Sequence, residues 1–136
     1  MEPESKCVMI VAESLPAGLA ANAAGVLAFT LGREMECAVG PGVLDGSGER
    51  HEGITRVPLP VLCADGQTLR RLRQEAGQTE LLAVDFTESA QTSKTYEEYE
   101  RKLASRQTEE LEYLGLALYG KKKEVDRLTG SLPLLR

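Results

Sequence analysis

Few side chains in this 136-residue sequence are of a type that does chemistry, and they are scattered. Asp85 stands inside an apolar run, LLAVDFT. A carboxyl in such a run needs a partner or its pKa rises, and perturbed carboxyls gather at functional sites. The alternative is an aspartate at a strand end that caps a loop. Thr87 and Gln91 follow it in TESAQT and add a hydroxyl and an amide. Asn22 stands in the uncharged stretch LPAGLAANAAGVLAFTLG, Leu15 to Gly32. It can donate and accept hydrogen bonds at the end of a sheet, or it can be a satisfied structural Asn that ties down a neighbouring loop. His51 is the sole histidine, and no further nitrogen or sulfur ligand is near it, so no metal is expected and a hairpin-surface His is. Lys121, Lys122, Lys123 and Arg127 form a positive cluster that suits an anion or a solvated helix face. No nucleophile–base pair follows from the spacing.

The composition bounds what such residues can serve. With 21 acidic and 16 basic side chains the net charge is −5, which argues against non-specific nucleic-acid or membrane binding. Cys7, Cys37 and Cys63 are odd in number and far apart, as expected of reduced thiols in a cytoplasmic protein. The bland stretch after Glu13 is too weakly apolar for a membrane span, and the acidic opening MEPESK is unlike a signal peptide. An apolar content of 42% and this length fit one domain over residues 1–136.

The elements that must position these residues are legible. KCVMIVA, Lys6 to Ala12, reads as a buried strand. Ser14 and Pro16 open a helix from about Ala17 to Leu31, apolar all round and therefore expected to be covered on several sides, by a sheet or another subunit. Asp45-Gly46 and Ser47-Gly48 predict a hairpin turn within residues 35–56. Val57 to Ala64 reads as extended, with Pro58 and Pro60 preventing full pairing at its start. Asp65 caps a helix to Ala76 that stops at Gly77. Leu81 to Phe86 is a strand. Thr95 and Glu98 form a capping box for a helix within residues 95–110, with Tyr96, Tyr99 and Leu103 on one side. Tyr113 to Tyr119 is a strand, and a short basic helix follows from Lys121 to Leu128. The tail SLPLLR is expected to dock, with Leu132 to Leu135 mostly buried and, because of Pro133, short or on a sheet edge. Strands alternating with helices imply an α/β fold with a mixed, mostly parallel sheet.

Two stretches then resemble a known family. KCVMIVAESLPAGLAANAA is similar to the opening of the second class of peptidyl-tRNA hydrolases, with Lys6, Val8, Val11, Leu15, Gly18, Ala23 and Ala24 on matching columns. VDRLTGSLPLL is similar to their ending, through Val125, Asp126, Thr129, Gly130, Leu132, Leu134 and Leu135. The resemblance implies a three-layer α/β/α fold, with the 35–56 hairpin and the 95–110 helix as extra segments. The whole pattern, with LPAGLAAN and VDFTESAQTSKTYEEYE, is more similar to an uncharacterised bacterial family on that fold. The hydrolase active-site lysine lands on Ala21, and its acid on Thr87 or, with a small gap, Asp85. Alanine neither neutralises phosphate nor positions a nucleophile, so the resemblance does not carry the activity.

The sequence therefore predicts a cytoplasmic protein that binds a small polar or anionic ligand where the first strand meets the first helix, through Gly18, Asn22, Asp85, Thr87 and Gln91. No cofactor is expected, and a homodimer is. The alternatives are a hydrolase of an acyl or peptidyl ester with a rebuilt site, and a non-catalytic homo-oligomeric module using the small-residue helix face or the Tyr96 helix.

Overall fold

The computed structural model describes residues 4–136; the first three residues of the expected domain lie outside it. Strand β1 (Ser5–Ala12) is the axis of the fold, and its alternating side chains feed two cores. Cys7, Met9 and Val11 enter one with Ala20, Ala23, Leu27 and Leu31 of helix α1 (Ala17–Glu34). Val8, Ile10 and Ala12 enter the other. There they meet Leu69, Leu72 and Ala76 of α2 (Gly66–Ala76) and Val125 and Leu128 of α5 (Lys122–Thr129). One face of the sheet thus carries α1, and the other carries α2 and α5.

The sheet order is β4-β1-β6-β5, with β4 (Val61–Ala64), β5 (Leu82–Thr87) and β6 (Tyr113–Lys121). The α/β class and the mixed sheet are as expected, but "mostly parallel" needs correction. Only β1 and β4 pair in parallel, because β6 runs between β1 and β5 in the opposite direction. Consequently β1, β4 and β5 all end at one pole, where β6 begins. At mid-sheet α1 lies close: a Cβ on Gly115 of β6 would sit 3.0 Å from Leu27 Cδ1.

Local chemistry accounts for the boundaries. The hairpin β2 (Val43–Leu44) and β3 (Arg50–His51) closes over Asp45, whose carboxylate accepts from the Ser47 and Glu49 amides, and Gly48 takes φ +86°. His51 Nε2 lies 2.9 Å from Asp45 Oδ2 on this exposed hairpin, and that contact, with the two amides, holds the Asp45 carboxyl below its ordinary pKa. Pro60 contributes only its carbonyl, which accepts from Met9 N–H at 3.0 Å, and pairing starts at Val61. Asp65 Oδ1 caps α2 through Thr68 N–H at 2.7 Å. In α4 (Tyr96–Ala104), Thr95 Oγ1 accepts from Glu98 N–H as expected. The reciprocal bond is shifted by one residue: Glu98 takes the Lys94 amide, 3.0 Å, rather than that of Thr95.

Two further expectations are corrected. Within one chain, helix α1 is covered on one side only: Ala20, Ala23, Leu27 and Leu31 repeat at helical spacing and face the sheet, while Asn22, Gly25, Val26 and Phe29 are exposed. The tail does dock on the sheet edge, but its leucines are not mostly buried. Cys63 N–H donates to Pro133 O at 3.0 Å and Leu135 N–H to Val61 O at 2.8 Å, yet Leu134 stays 50% and Leu135 38% exposed. An added edge strand satisfies main-chain groups of β4 without burying both sides of itself.

Candidate functional site

Strand β5 is the other edge of the sheet, paired with β6 alone. The chain leaving it folds back as α3 (Glu88–Gln91) and α4. Lys102 Nζ on α4 donates to Thr92 O at 3.1 Å and Thr92 Oγ1 at 3.0 Å, and Arg106 pairs with Glu88. These bonds hold α4 against α3 and leave a cleft of 480 Å³ between α1, β5 and the α3–α4 segment. Val84 and Phe86 line it from β5, Thr30 and Arg33 from α1, and Ser93, Lys94 and Tyr99 from the segment beyond. A shallower depression of 390 Å³ continues along α1 over Gly25, between Asn22 and Phe29, and shares Val26 and Thr30 with the cleft.

The polar groups of the cleft differ in state. Asp85 Oδ2 accepts from Arg73 Nε of α2 at 3.0 Å, so its charge is countered from beneath the strand. Burial, and then the nearby Asp85 charge, push the Tyr99 phenol up in pKa. Tyr96 meets Tyr99 edge-on, ring centres 5.5 Å apart. Arg33 holds Glu34 at 3.0 Å on the surface. The Lys94 ammonium makes no ion pair among the described residues. An exposed cation, a neutral phenol and the Thr30 hydroxyl around an apolar floor can hold a carboxylate or phosphate with an apolar body.

Of the five residues singled out in the sequence, two line this region: Asp85 the cleft, and Asn22 the adjoining depression. Gly18, Thr87 and Gln91 line neither. Gly18 lies on the exposed first turn of α1, and Gln91 is half-buried at the end of α3. Thr87 is 1% exposed at the junction of β5 and α3, and its hydroxyl and that of buried Ser89 have no hydrogen-bond partner among the described residues. Lys94 and Tyr99 were missed. The Tyr96–Tyr99 spacing marks a helix face, but nothing local says that this helix folds back over β5.

Other concavities also hold polar groups. A groove of 750 Å³ at the opposite pole, between the end of α2 and the start of α5, is larger. Its Arg127 is paired with Glu124 at 2.7 Å, while its Lys121 makes no ion pair among the described residues. A 250 Å³ slot touches Cys7, whose thiol burial pushes up in pKa and whose Sγ lies 3.5 Å from Pro58 O. Among the described residues no three His, Cys, Asp or Glu side chains gather as metal ligands. No helix there is long and apolar enough to cross a membrane.

Residues 5–136 match the family described as "Protein of unknown function (DUF2000)". The chain belongs to this family. The DUF2000 chain is similar in fold to a protein of unknown function from Agrobacterium tumefaciens strain C58. That likeness has a TM-score of 0.89 at 18% sequence identity and covers 98% of each chain. No curated protein matches the DUF2000 chain.

Proposed function

We propose that this protein binds a small ligand with an anionic group, in the cleft between α1, the β5 edge and the α3–α4 segment. The Lys94 ammonium carries the reading: in a chain with 21 acidic side chains it has no carboxylate partner among the described residues, and it lines a concavity beside the Tyr99 phenol. This moves the centre of the site from the first strand–helix junction to the side of α1. Asn22 and Asp85 stay within it. Gly18, Thr87 and Gln91 line neither the cleft nor the depression; they are kept as a proposed extension toward the pole where β1 and β5 terminate, where the buried Thr87 hydroxyl has no partner among the described residues.

The reading takes the chain as one cytoplasmic domain of bacterial type on a peptidyl-tRNA hydrolase II-like fold, self-associating as a homodimer. Helices on both sheet faces are consistent with that fold. Leu19 and Ala21 replace the basic residues of those enzymes, so peptidyl-tRNA is not the substrate proposed.

The test is a thermal-shift screen of the full chain against small carboxylates and phosphates, followed by calorimetry on Lys94→Ala and Tyr99→Phe. A stabilising compound whose affinity falls about tenfold or more in Lys94→Ala, the loss of one charge-assisted hydrogen bond, is expected. Hits that bind Lys94→Ala as well as the parent protein would remove the cleft from consideration.

A further inference from the structure

The outward face of α1 poses a separate problem. Phe29 is 88% exposed on it, and Leu19 and Val26 toward the helix N-terminus are also exposed. Gly18, Gly25 and Gly32 recur every seven residues on the same face. None has a positive φ, and a Cβ on any of them would meet nothing within 4 Å. The described chain gives no steric reason for glycine there. In a helix interior glycine costs about 1 kcal/mol against alanine, so intramolecular stability does not explain Gly25.

We propose that this face binds a second copy of the chain, with the two α1 helices antiparallel across a two-fold axis near Gly25 and Val26. An isologous contact must be complementary to itself. Read in opposite directions about that point, the helix sets large residues against small ones: Phe29 against Asn22, Val26 against Gly25, and Leu19 against Gly32. The depression over Gly25 receives the partner's Phe29, and the reciprocal contact is identical.

Charge selects a second copy as the occupant. The chain carries −5 overall, which opposes self-association elsewhere on its surface, but α1 bears no charge from Ala17 to Gly32. The first turn of α1 has no acidic residue and its N-cap, Pro16, no side-chain cap, while the last turn carries Arg33, paired with Glu34. Antiparallel pairing brings the Glu34 carboxylate beside the partner's uncapped N-terminus, which has no acid of its own. The face is about 27 Å long and ~10 Å wide. That is small against the ~800 Å² per partner of a standard interface, so the dimer is a weak, concentration-dependent one. It does not depend on the ligand reading, although the partner's Phe29 closes over the rim that Val26 and Thr30 share with the cleft.

Sedimentation velocity on the full chain, from about 5 to about 500 µM, brackets the affinity expected of a small interface. A monomer–dimer equilibrium is expected. Phe29→Asp should weaken it about 100-fold, as removal of a central aromatic anchor does. Gly25→Leu should weaken it comparably while leaving the melting temperature unchanged or raised, because its side chain enters open space in the monomer. A chain that stays monomeric at the highest concentration overturns the proposal. So does a dimer that both substitutions leave intact, which would lie on another face, or association seen only with lipid vesicles.

Discussion

Leu27 and Phe29 stand two residues apart on one helix and share an apolar character, yet one is fully buried and the other is 88% exposed. Leu27 lies over Gly115 at the centre of the sheet, among Ala20, Ala23 and Leu31. Phe29 stands on the far side, beside the depression at Gly25. The inward face of α1 is therefore explained by the fold, and the outward face is not. Apolar surface that a fold does not cover marks a place where something else does the covering. The same contrast separates the two sheet edges: β4 is closed by the chain's own tail, whereas β5 faces a cleft whose Lys94 makes no ion pair among the described residues.

The strongest way to break this comparison is Leu27→Ala. It removes a fully buried side chain from a close-packed contact between helix and sheet. The expected loss is about 3–5 kcal/mol, transfer and cavity terms together. Chemical denaturation of both proteins measures it. A loss under about 1 kcal/mol would mean that α1 repacks freely and that its inward face is no better specified than its outward one.

How much of this was legible depended on the range of the interaction. The strands around Cys7, Cys63, Val84 and Leu116, the Asp65 cap and the Asp45 turn are set by neighbours in sequence, and they were readable. The direction of β6 was not, because both of its pairings join residues far apart in the chain. The reading of α1 as covered on several sides, by a sheet or another subunit, is met within one chain on the sheet side alone. Alanine and glycine are too small to show by periodicity which side meets the sheet, so nothing ranked the face of Leu27 and Leu31 above that of Val26 and Phe29. Asp85 was recognised as a residue needing a partner, but Arg73 on α2 was not legible as that partner. Lys94 and Tyr99 were hidden because their place depends on how α4 folds back.

The tail is the intermediate case. It pairs its backbone with β4 but leaves Leu134 and Leu135 part-exposed, so it should contribute less than its composition implies. Two edge hydrogen bonds at about 0.5 kcal/mol each and about 1 kcal/mol of partial leucine burial give a total near 2 kcal/mol. Deleting Ser131 to Arg136 should lower the melting temperature by roughly 5–8 °C for a chain of this size. Thermal unfolding followed by circular dichroism reads this directly. An unchanged melting temperature would mean that the β4 edge is as open in solution as the β5 edge, and the contrast between them would go.

The smallest effect on stability is expected at Phe29, and its smallness is the point. A side chain this exposed, with no hydrogen bond to lose, should cost less than about 0.5 kcal/mol when replaced by alanine. Alanine is also the better helix former by a few tenths of a kcal/mol, which pushes the balance toward zero or a slight gain. The measurement must be made at low micromolar concentration, where a weak dimer is dissociated and contributes nothing by mass action. Repeating it at high concentration separates the two explanations of an apolar outward face. If Phe29 is covered by a second copy, the parent protein gains melting temperature with concentration and Phe29→Ala does not. If Phe29→Ala destabilises the dilute protein by as much as Leu27→Ala, then Phe29 is part of the monomer's core, and the two faces of α1 are not distinct after all.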